Sequence, residues 1–323
     1  MTASGEVIVL VPAYNVGRYI QDCLASLIAQ SDPSWRCIVV DDGSTDDTAA
    51  RVEMIGDPRI RLVQQANAGV SAARNRGLAE ADTPFVVFLD GDDRLHPDAI
   101  QRLHRAIVDD AGAAAAFGAM RKMLADGRPY PGEKPLTEVR YPSGDVVEAM
   151  VRENFLANGG HVMVRTAAAR AAGGFDTRLR LSEDWEFWCR LALTGAFTYI
   201  GAPPEVFTLR MTPGSASGSL AQDWENHRPA IEAVLNNAQL AARFVPDAWR
   251  RLQRQVWASH RWEAGRVNFT LRKFSVARRL MLRSLMEDCR PKRLALFVLA
   301  QLSQLCGRSL ASRLRFRDED VAV

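Results

Sequence analysis

Three carboxylates, Asp90, Asp92 and Asp93, follow directly on the apolar run 84–89 in the stretch VVFLDGDDRL. Like charges this close repel, and a carboxylate beside an apolar strand resists desolvation, so something must compensate them. One reading is a solvated turn, because Asp and Gly favour turns. The other is a divalent cation: carboxylates at the end of a strand can hold Mg²⁺ or Mn²⁺, ions that keep open positions for phosphate oxygens. Two more acidic pairs have the types and spacing for chemistry. Asp41-Asp42 opens DDGSTDDT, where turn and cap formation compete with ligand binding. Glu183-Asp184 opens an apolar-periodic segment, where carboxylates in a first turn are favoured by the helix dipole and capping is the plain reading.

The surrounding elements bring these residues to common ground. Residues 6–11, 37–40, 60–63 and 84–89 are short, continuously apolar runs that read as buried strands. Helical spacing follows them at 18–29, where Ile20, Leu24, Leu27 and Ile28 share a face. It recurs after Thr45 or Asp46, either of which can cap, then at 71–81 and after Pro97. Four strand–helix alternations of this kind predict a parallel sheet covered on both faces. Ligands then bind outside the carboxyl ends of the strands, which here are PAYN, DDGSTD, the QQANAGVS turn and DGDD. Residues 112–220 are less regular, with strands expected at Ala113–Met123 and Val162–Arg165 and a helix over Ser182–Leu193. Beyond 220 the chain reads as helices carrying Trp224, Trp249, Trp257 and Trp262.

Composition sets outer limits. With 323 residues, 47% hydrophobic and 24% charged, the chain suits one large globular domain or one domain with a helical extension. Its five cysteines form no CxxC pair, which favours buried thiols in a reducing compartment. No export signal is read at the N-terminus and no apolar run reaches membrane-spanning length, so a cytoplasmic location is expected. The net charge of +3 is unevenly spread: residues 220–323 hold 19 basic and 10 acidic side chains, and the rest is net acidic. Different tasks for the two parts follow.

No GxGxxG follows the first strand and no GxxxxGK[ST] occurs, so dinucleotide-binding and P-loop readings lack their glycine turn. A nucleotidyltransferase would want a glycine- and lysine-rich loop where this chain has PAYN. In order, VIVLVPAYN, VVDDGSTDDT, NAGVSAARNRGL, FLDGDD, GGFD and SEDWEFWCRL resemble the inverting glycosyltransferases of family 2, with the GT-A fold, over roughly residues 6–215. The resemblance implies an α/β fold with a mostly parallel central sheet flanked by helices. Residues 1–220 would form the catalytic domain, 1–110 its nucleotide-binding half and 111–220 its acceptor half, with 221–323 a basic helical region.

The same resemblance implies roles for particular residues. Pro12, Ala13, Tyr14 and Asn15 would line base and ribose, and Asp42, beside Asp41, would accept a uracil N–H. Asn67, Gly69 and Arg74 would border the nucleotide and diphosphate, with Arg74 as a plain surface charge the competing reading. Asp92 would ligate Mn²⁺ or Mg²⁺ directly, with Asp90 facing the ribose or the metal's water and Asp93 completing the shell or capping the next turn. Asp184 would be the general base and Glu183 its orienting partner or an acceptor contact. Gly174 fits a turn against the sugar pocket, and Trp185 or Trp188 would offer a stacking face to a sugar, core packing being the alternative. One departure stands out. Many relatives carry a His after the final strand, whereas this chain has Leu209-Arg210-Met211-Thr212-Pro213-Gly214-Ser215, leaving Arg210 or Ser215 to approach the diphosphate. His161 reads as structural or acceptor-side.

The implied partners are a UDP-sugar or other nucleotide-sugar donor and a glycan or lipid-linked acceptor in cell-surface polysaccharide synthesis. A non-catalytic nucleotide-sugar binder that scaffolds glycan assembly is the alternative, opposed by the retained Glu183-Asp184 pair. No nucleic-acid motif is present. In the basic tail, Leu294, Phe297, Val298, Gln301 and Leu305 fall near one helical face, widened by Leu296, Leu299 and Leu302. Such a helix either packs on protein or lies on an anionic membrane surface, a peripheral location on the inner face of the cytoplasmic membrane.

Overall fold

The computed structural model describes residues 6–133, 135–136, 140–156, 158–201, 204–212 and 220–305, without the side chains of 302–305. A seven-stranded sheet runs in the order β3-β2-β1-β4-β8-β6-β9. Its parallel half is the expected one: β1 (Val7–Ala13), β2 (Trp35–Asp41), β3 (Ile60–Gln64) and β4 (Phe85–Phe88). Every residue of β1 and β4 is buried, which is why these runs are apolar without alternation. The intervening helices are α1 (Gly17–Ile28), α2 (Thr48–Glu53) and α3 (Val70–Glu80), followed by α4 (Ala99–Asp109). On α3, Gly77 faces β1 so closely that a Cβ would stand 2.9 Å from a Leu10 methyl. That contact fixes the depth of the helix that carries Arg74.

The second half departs from the parallel pattern. β8 (Val162–Arg165) pairs antiparallel with both β4 and β6 (Ala113–Phe117), and β9 (Ala196–Tyr199) closes the edge parallel to β6. The single strand expected over Ala113–Met123 is two. After Gly118 the chain leaves the main sheet, and β7 (Met120–Leu124) joins β5 (Arg94–Leu95) and β10 (Phe207–Met211) in a three-stranded sheet. Gly118 permits the switch because a Cβ there would stand 2.6 Å from a Val206 methyl. The run of apolar residues hides the break, since periodicity reports burial and not sheet membership.

Apolar cores fill both faces of the main sheet. α5 (Val147–Arg152), α6 (Thr166–Ala171) and α7 (Glu183–Leu191) cover the face shared with the C-terminal region. That region comprises α8 (Trp224–Leu235), α9 (Ala238–Ala241), α10 (Pro246–Thr270), α11 (Phe274–Glu287) and α12 (Pro291–Leu305). Trp249, Leu252 and Val256 of α10 belong to the catalytic core itself, so the extension is welded to the sheet domain.

On α12 the expected apolar face is divided. Leu296, Phe297 and Ala300 pack on Trp262, Phe269, Ala277 and Met281, while Leu294, Val298 and Leu299 are exposed. Phe297 therefore points to protein. Leu302 and Leu305 lie outside the described side chains. No helix among the described residues is long and apolar enough to cross a membrane. Cys23, Cys37 and Cys189 are free and buried, Cys289 is free and exposed, and Cys306 lies outside the described residues.

Candidate active site

The carboxyl ends of β1, β2 and β4 and the start of α7 converge, as the sheet topology requires. Pro12 and Ala13 are the last residues of β1 and are buried; Tyr14 is exposed and turns the chain outward. Asn15 sits in the left-handed region at φ 52°, held by its N–H on Ser44 Oγ (2.9 Å) and by Thr45 N–H on its Oδ1 (2.8 Å). A non-glycine residue with positive φ is held there by such contacts and is common at ligand sites. This loop and the DDGSTD turn are therefore one unit.

Asp41 and Asp42 are both buried, and each has an internal task. Asp41 Oδ1 accepts from Ser44 N–H (3.0 Å), which closes its own turn. Asp42 Oδ1 accepts from Gln65 Nε2 (2.7 Å) and Ala68 N–H (2.9 Å), and its Oδ2 from Gly69 N–H (2.8 Å). Asp42 thus ties down the loop that carries exposed Asn67 and leads into α3. Its Oδ2, with a single donor, keeps acceptor capacity for a base N–H. Gly69, at φ 91°, makes the bend that starts the helix.

The centre of the site is Arg74. Its guanidinium is 5% exposed and donates to Asp90 Oδ1 (2.8 Å) and to Glu183 Oε1 (2.9 Å), over the ring of Phe175 at 5.1 Å. The surface-charge reading of Arg74 is thereby excluded. Burial opposes its charge, but Asp90 and Glu183 hold it protonated. One fork thus joins the strand-end aspartate, 16 residues from Arg74, to an acid 109 residues from Arg74 in sequence. Phe175 belongs to the GGFD turn, which is clamped by Asn75: its Oδ1 takes Phe175 N–H and its Nδ2 gives to Phe175 O, each at 2.8 Å. Gly174 at φ 68° allows that approach, since a Cβ would stand 2.5 Å from Asn75 Oδ1. Its task is the docking of this turn.

Asp184 follows Ser182, another left-handed non-glycine residue at φ 60°. Its Oδ1 accepts from Trp185 N–H (2.7 Å) and its Oδ2 from Asn154 Nδ2 (3.2 Å). Desolvation, and then the charge of Glu183, push its carboxyl up to about 7, against the opposing pull of Arg74. A carboxylate near neutrality is suited to accept a proton at neutral pH. Asn154 carries no sequence signal that distinguishes it from any loop asparagine.

The three aspartates of DGDD have diverged. Asp90 is the Arg74 partner, and its carbonyl receives the Cys23 thiol at 3.7 Å. Asp93 is 1% exposed and spends its carboxylate inward, on Arg210 N–H (2.7 Å) and Asn158 Nδ2 (2.9 Å). Neither expected role, completing a metal shell or capping the next turn, matches these contacts, which tie β10 and the 158–160 loop together. Asp92 is pushed up to about 6 by burial first and then by the charge of Asp90. No cluster of three or more acidic, His or Cys side chains able to hold a metal occurs among the described residues. Still, two crowded carboxylates, one of them resisting ionisation, form a hard oxygen-donor pair that a divalent cation would relieve.

Two other expectations are corrected, and for His161 one of the two alternatives holds. Arg210 is 2% exposed, and its guanidinium is consumed by Asp92 O (2.8 Å), Ala125 O (3.1 Å) and Asp22 Oδ2 (2.8 Å). It fastens β10 beneath the aspartates and does not reach toward a diphosphate; Ser215 lies outside the described residues. Trp185 and Trp188 are both fully buried, Trp185 donating its indole N–H to Met150 O (2.6 Å), so neither offers a stacking face. His161 is structural, its ring nitrogens set against the carbonyls of Gly118 and Leu156. Asp22 and Asn158 were not legible, because their tasks exist only once β10 and the 154–160 loop have docked.

The 158–160 loop also sets the position of β4. A Cβ on Gly159 would stand 2.7 Å from the carbonyl oxygen of Phe88, two residues before Asp90. Gly159→Ala is expected to cost about 1–3 kcal/mol through overpacking and to lower the melting temperature by several degrees, measured by calorimetry. An unchanged melting temperature would show that the loop yields freely.

The family model described as "Glycosyl transferase family 2" matches residues 8–168. The uncharacterized protein MT1568 of Mycobacterium tuberculosis is 32% identical over 215 residues, 63% of this chain and 66% of that protein. The succinoglycan biosynthesis protein ExoO of Rhizobium meliloti is 32% identical over 189 residues, 56% of this chain and 53% of that protein. The chain thus matches less than two thirds of either relative. Among solved structures, S. aureus TarS 1–349 in complex with UDP-GlcNAc superposes with a TM-score of 0.66 at 20% identity, covering 94% of this chain and 92% of that fragment. At that identity the likeness is one of fold.

Proposed function

The chain belongs to glycosyltransferase family 2, and from that premise we propose that it transfers a sugar from a UDP-sugar to an acceptor hydroxyl, inverting the anomeric centre. The acceptor is a glycan or lipid-linked glycan of cell-surface polysaccharide synthesis, reached from the cytoplasmic side. The observation that carries this reading is the Arg74 fork, which holds the strand-end Asp90 and the Glu183-Asp184 pair in one site.

The residues divide the work as follows. The Tyr14–Asn15 turn and the loop tied by Asp42 take the nucleoside. Asp184 accepts the proton of the acceptor hydroxyl as its oxygen attacks the anomeric carbon, and Asn154 and Trp185 N–H keep its carboxylate aimed. Glu183, anchored on Arg74, keeps α7 in register with the donor side. Asp92 with Asp90 would hold Mn²⁺ or Mg²⁺, which when bound supplies positive charge to the leaving diphosphate.

The test is a screen of UDP-, GDP- and TDP-sugars with Mn²⁺ and Mg²⁺, reading release of nucleoside diphosphate. Release from at least one UDP-sugar is expected; binding without any release or transfer would leave the nucleotide-sugar scaffold. Excess EDTA is expected to slow that release on the order of ten-fold or more, and added Mn²⁺ to restore it. Full turnover in EDTA would remove the metal.

Contact with an anionic membrane fits a lipid-linked acceptor, and the exposed Leu294, Val298 and Leu299 of α12 support it. Replacing all three by serine should abolish co-sedimentation with phosphatidylglycerol vesicles. Unchanged sedimentation would assign that surface elsewhere.

A further inference from the structure

A cleft of about 940 Å³ opens between α8, α10 and α11, outside every motif used above. Two partly exposed indoles, Trp224 and Trp257, stand in its wall with ring centroids 6.0 Å apart. Five cations line it, and they are not equivalent. Arg228 is paired with Glu225 and Glu232 at 2.9 Å each, which also accounts for those two acids of the wall. Asp223, the remaining acid, caps α8 by accepting Glu225 N–H at 3.0 Å. Arg261 pairs with Glu287 and lies over both indoles, 5.3 Å from Trp224 and 4.8 Å from Trp257.

Lys273, Arg279 and Arg283 are different: all three are exposed, and no acidic partner is recorded for them among the described residues. Arg279 and Arg283 are one turn apart on α11 and so share a face. The cleft is thus a polar-rimmed hollow with aromatic walls and a surplus of positive charge. Its volume is at the upper end of the range for small-ligand sites. It is linked to α7 through α10. Trp257 is one turn from His260, whose ring lies 4.8 Å from that of Trp185, the residue after Asp184.

We propose that this cleft binds an anionic glycan, a sugar chain bearing carboxylate or phosphate groups, and so tethers the acceptor polymer to the C-terminal helices. The inference rests on reading the chain as a glycan-extending transferase. Arg261 covers part of both indoles and His227 stacks on Trp224, so the remaining half-buried indole surface packs on sugar C–H groups, and guanidinium groups without an acidic partner take carboxylate or phosphate as a fork. A neutral glycan would use the indoles and leave the three cations without a partner. A membrane surface would need an apolar face inside the cleft, but Leu280 of the wall is buried and Val276 half-buried, and the exposed Phe274, Leu282 and Met286 of α11 do not line it.

The experiment uses the full-length protein and indole fluorescence, titrated at low and high salt with an oligogalacturonate and with a neutral malto-oligosaccharide of equal length. The oligogalacturonate is expected to bind at least about ten-fold more tightly than the neutral chain, with the difference shrinking at high salt. Arg279→Gln with Arg283→Gln should weaken it about ten-fold or more, and Trp257→Phe should reduce the fluorescence change. Arg105→Gln with Arg128→Gln, which removes two exposed cations elsewhere, should leave binding as it was. Circular dichroism of each variant checks folding.

Equal binding of the two sugars, or loss of affinity in the distant control pair as large as in the cleft pair, overturns the proposal. So does binding of phosphatidylglycerol vesicles that needs Arg279 and Arg283 while the oligogalacturonate does not bind. Donor turnover by the wild type is measured in parallel. Turnover without oligogalacturonate binding rejects the cleft and keeps the transferase; binding without turnover does the reverse.

Discussion

Asp184→Asn is expected to leave donor binding intact and to lower sugar transfer by about 10²–10⁴-fold, the usual contribution of a positioned general base. The substitution conserves shape. An amide oxygen can still accept Trp185 N–H, while the atom facing Asn154 loses its acceptor character. What disappears is the capacity to take a proton. The pH dependence separates this from mere loss of structure. With its carboxyl near 7, the wild-type base is active only when deprotonated, so kcat/KM should rise from pH 5 and level off above about 7 to 8. A carboxylate at its ordinary value would give a flat profile over that interval.

Stability should move the opposite way. A carboxyl whose pKa is raised by folding costs the folded state nothing when it is protonated, below its unfolded pKa. The cost grows as pH rises through the folded pKa. Asparagine imitates the protonated form, so Asp184→Asn should unfold at a higher temperature than wild type at pH 8, and at nearly the same temperature at pH 4. Calorimetry at the two pH values reads this directly. Near wild-type transfer by Asp184→Asn, or equal stability at both pH values, would refute the assignment.

Arg74→Gln is the second large effect, expected to cost about 3–5 kcal/mol in stability and most of the turnover. The guanidinium neutralises Asp90 and Glu183, whose side chains are only 28% and 14% exposed. Without it, two carboxylates of one site face each other with no cation between them, and α7 loses its tie to β4. Arg74 also opposes the upward shift of Asp184. Its removal should therefore carry the rising limb of the pH–rate profile to higher pH, a displacement that a purely structural role would not produce. Arg74→Lys keeps the charge but cannot bond both acids as a fork, and should recover the pH profile more than the stability. A wild-type profile in Arg74→Gln would show that the two acidic groups are not coupled through this residue.

Much of the catalytic half is readable from local chemistry. The apolar runs of β1, β2 and β4 are continuous because both of their faces are covered, and their polar ends fall together because parallel strands share one carboxyl edge. The acids Asp90, Glu183 and Asp184 stand out in this way, each from its own segment, whereas Arg74 and the role of Asp184 come only from the family resemblance. The sequence also determined that the C-terminal part is helical and basic. It could not say which charges meet. The identity of Arg74's two partners depends on how α3 and α7 dock, over separations of 16 and 109 residues.

The same limit explains the errors. Asp93 and Arg210 look like ligands by type, yet the docking of β10 turns Arg210 inward and gives Asp93 its backbone N–H. Trp185 and Trp188 carry the aromatic character of a sugar platform, but α5, α8 and α10 cover them. The break at Gly118 is invisible because burial on two different sheets gives the same apolar pattern. Local sequence sets which side chains are available and on which periodic face. Solvent exclusion and pairing are sums over contacts between distant segments, and only the tertiary structure decides which carboxylates face one another, which are spent, and which stay open to a substrate.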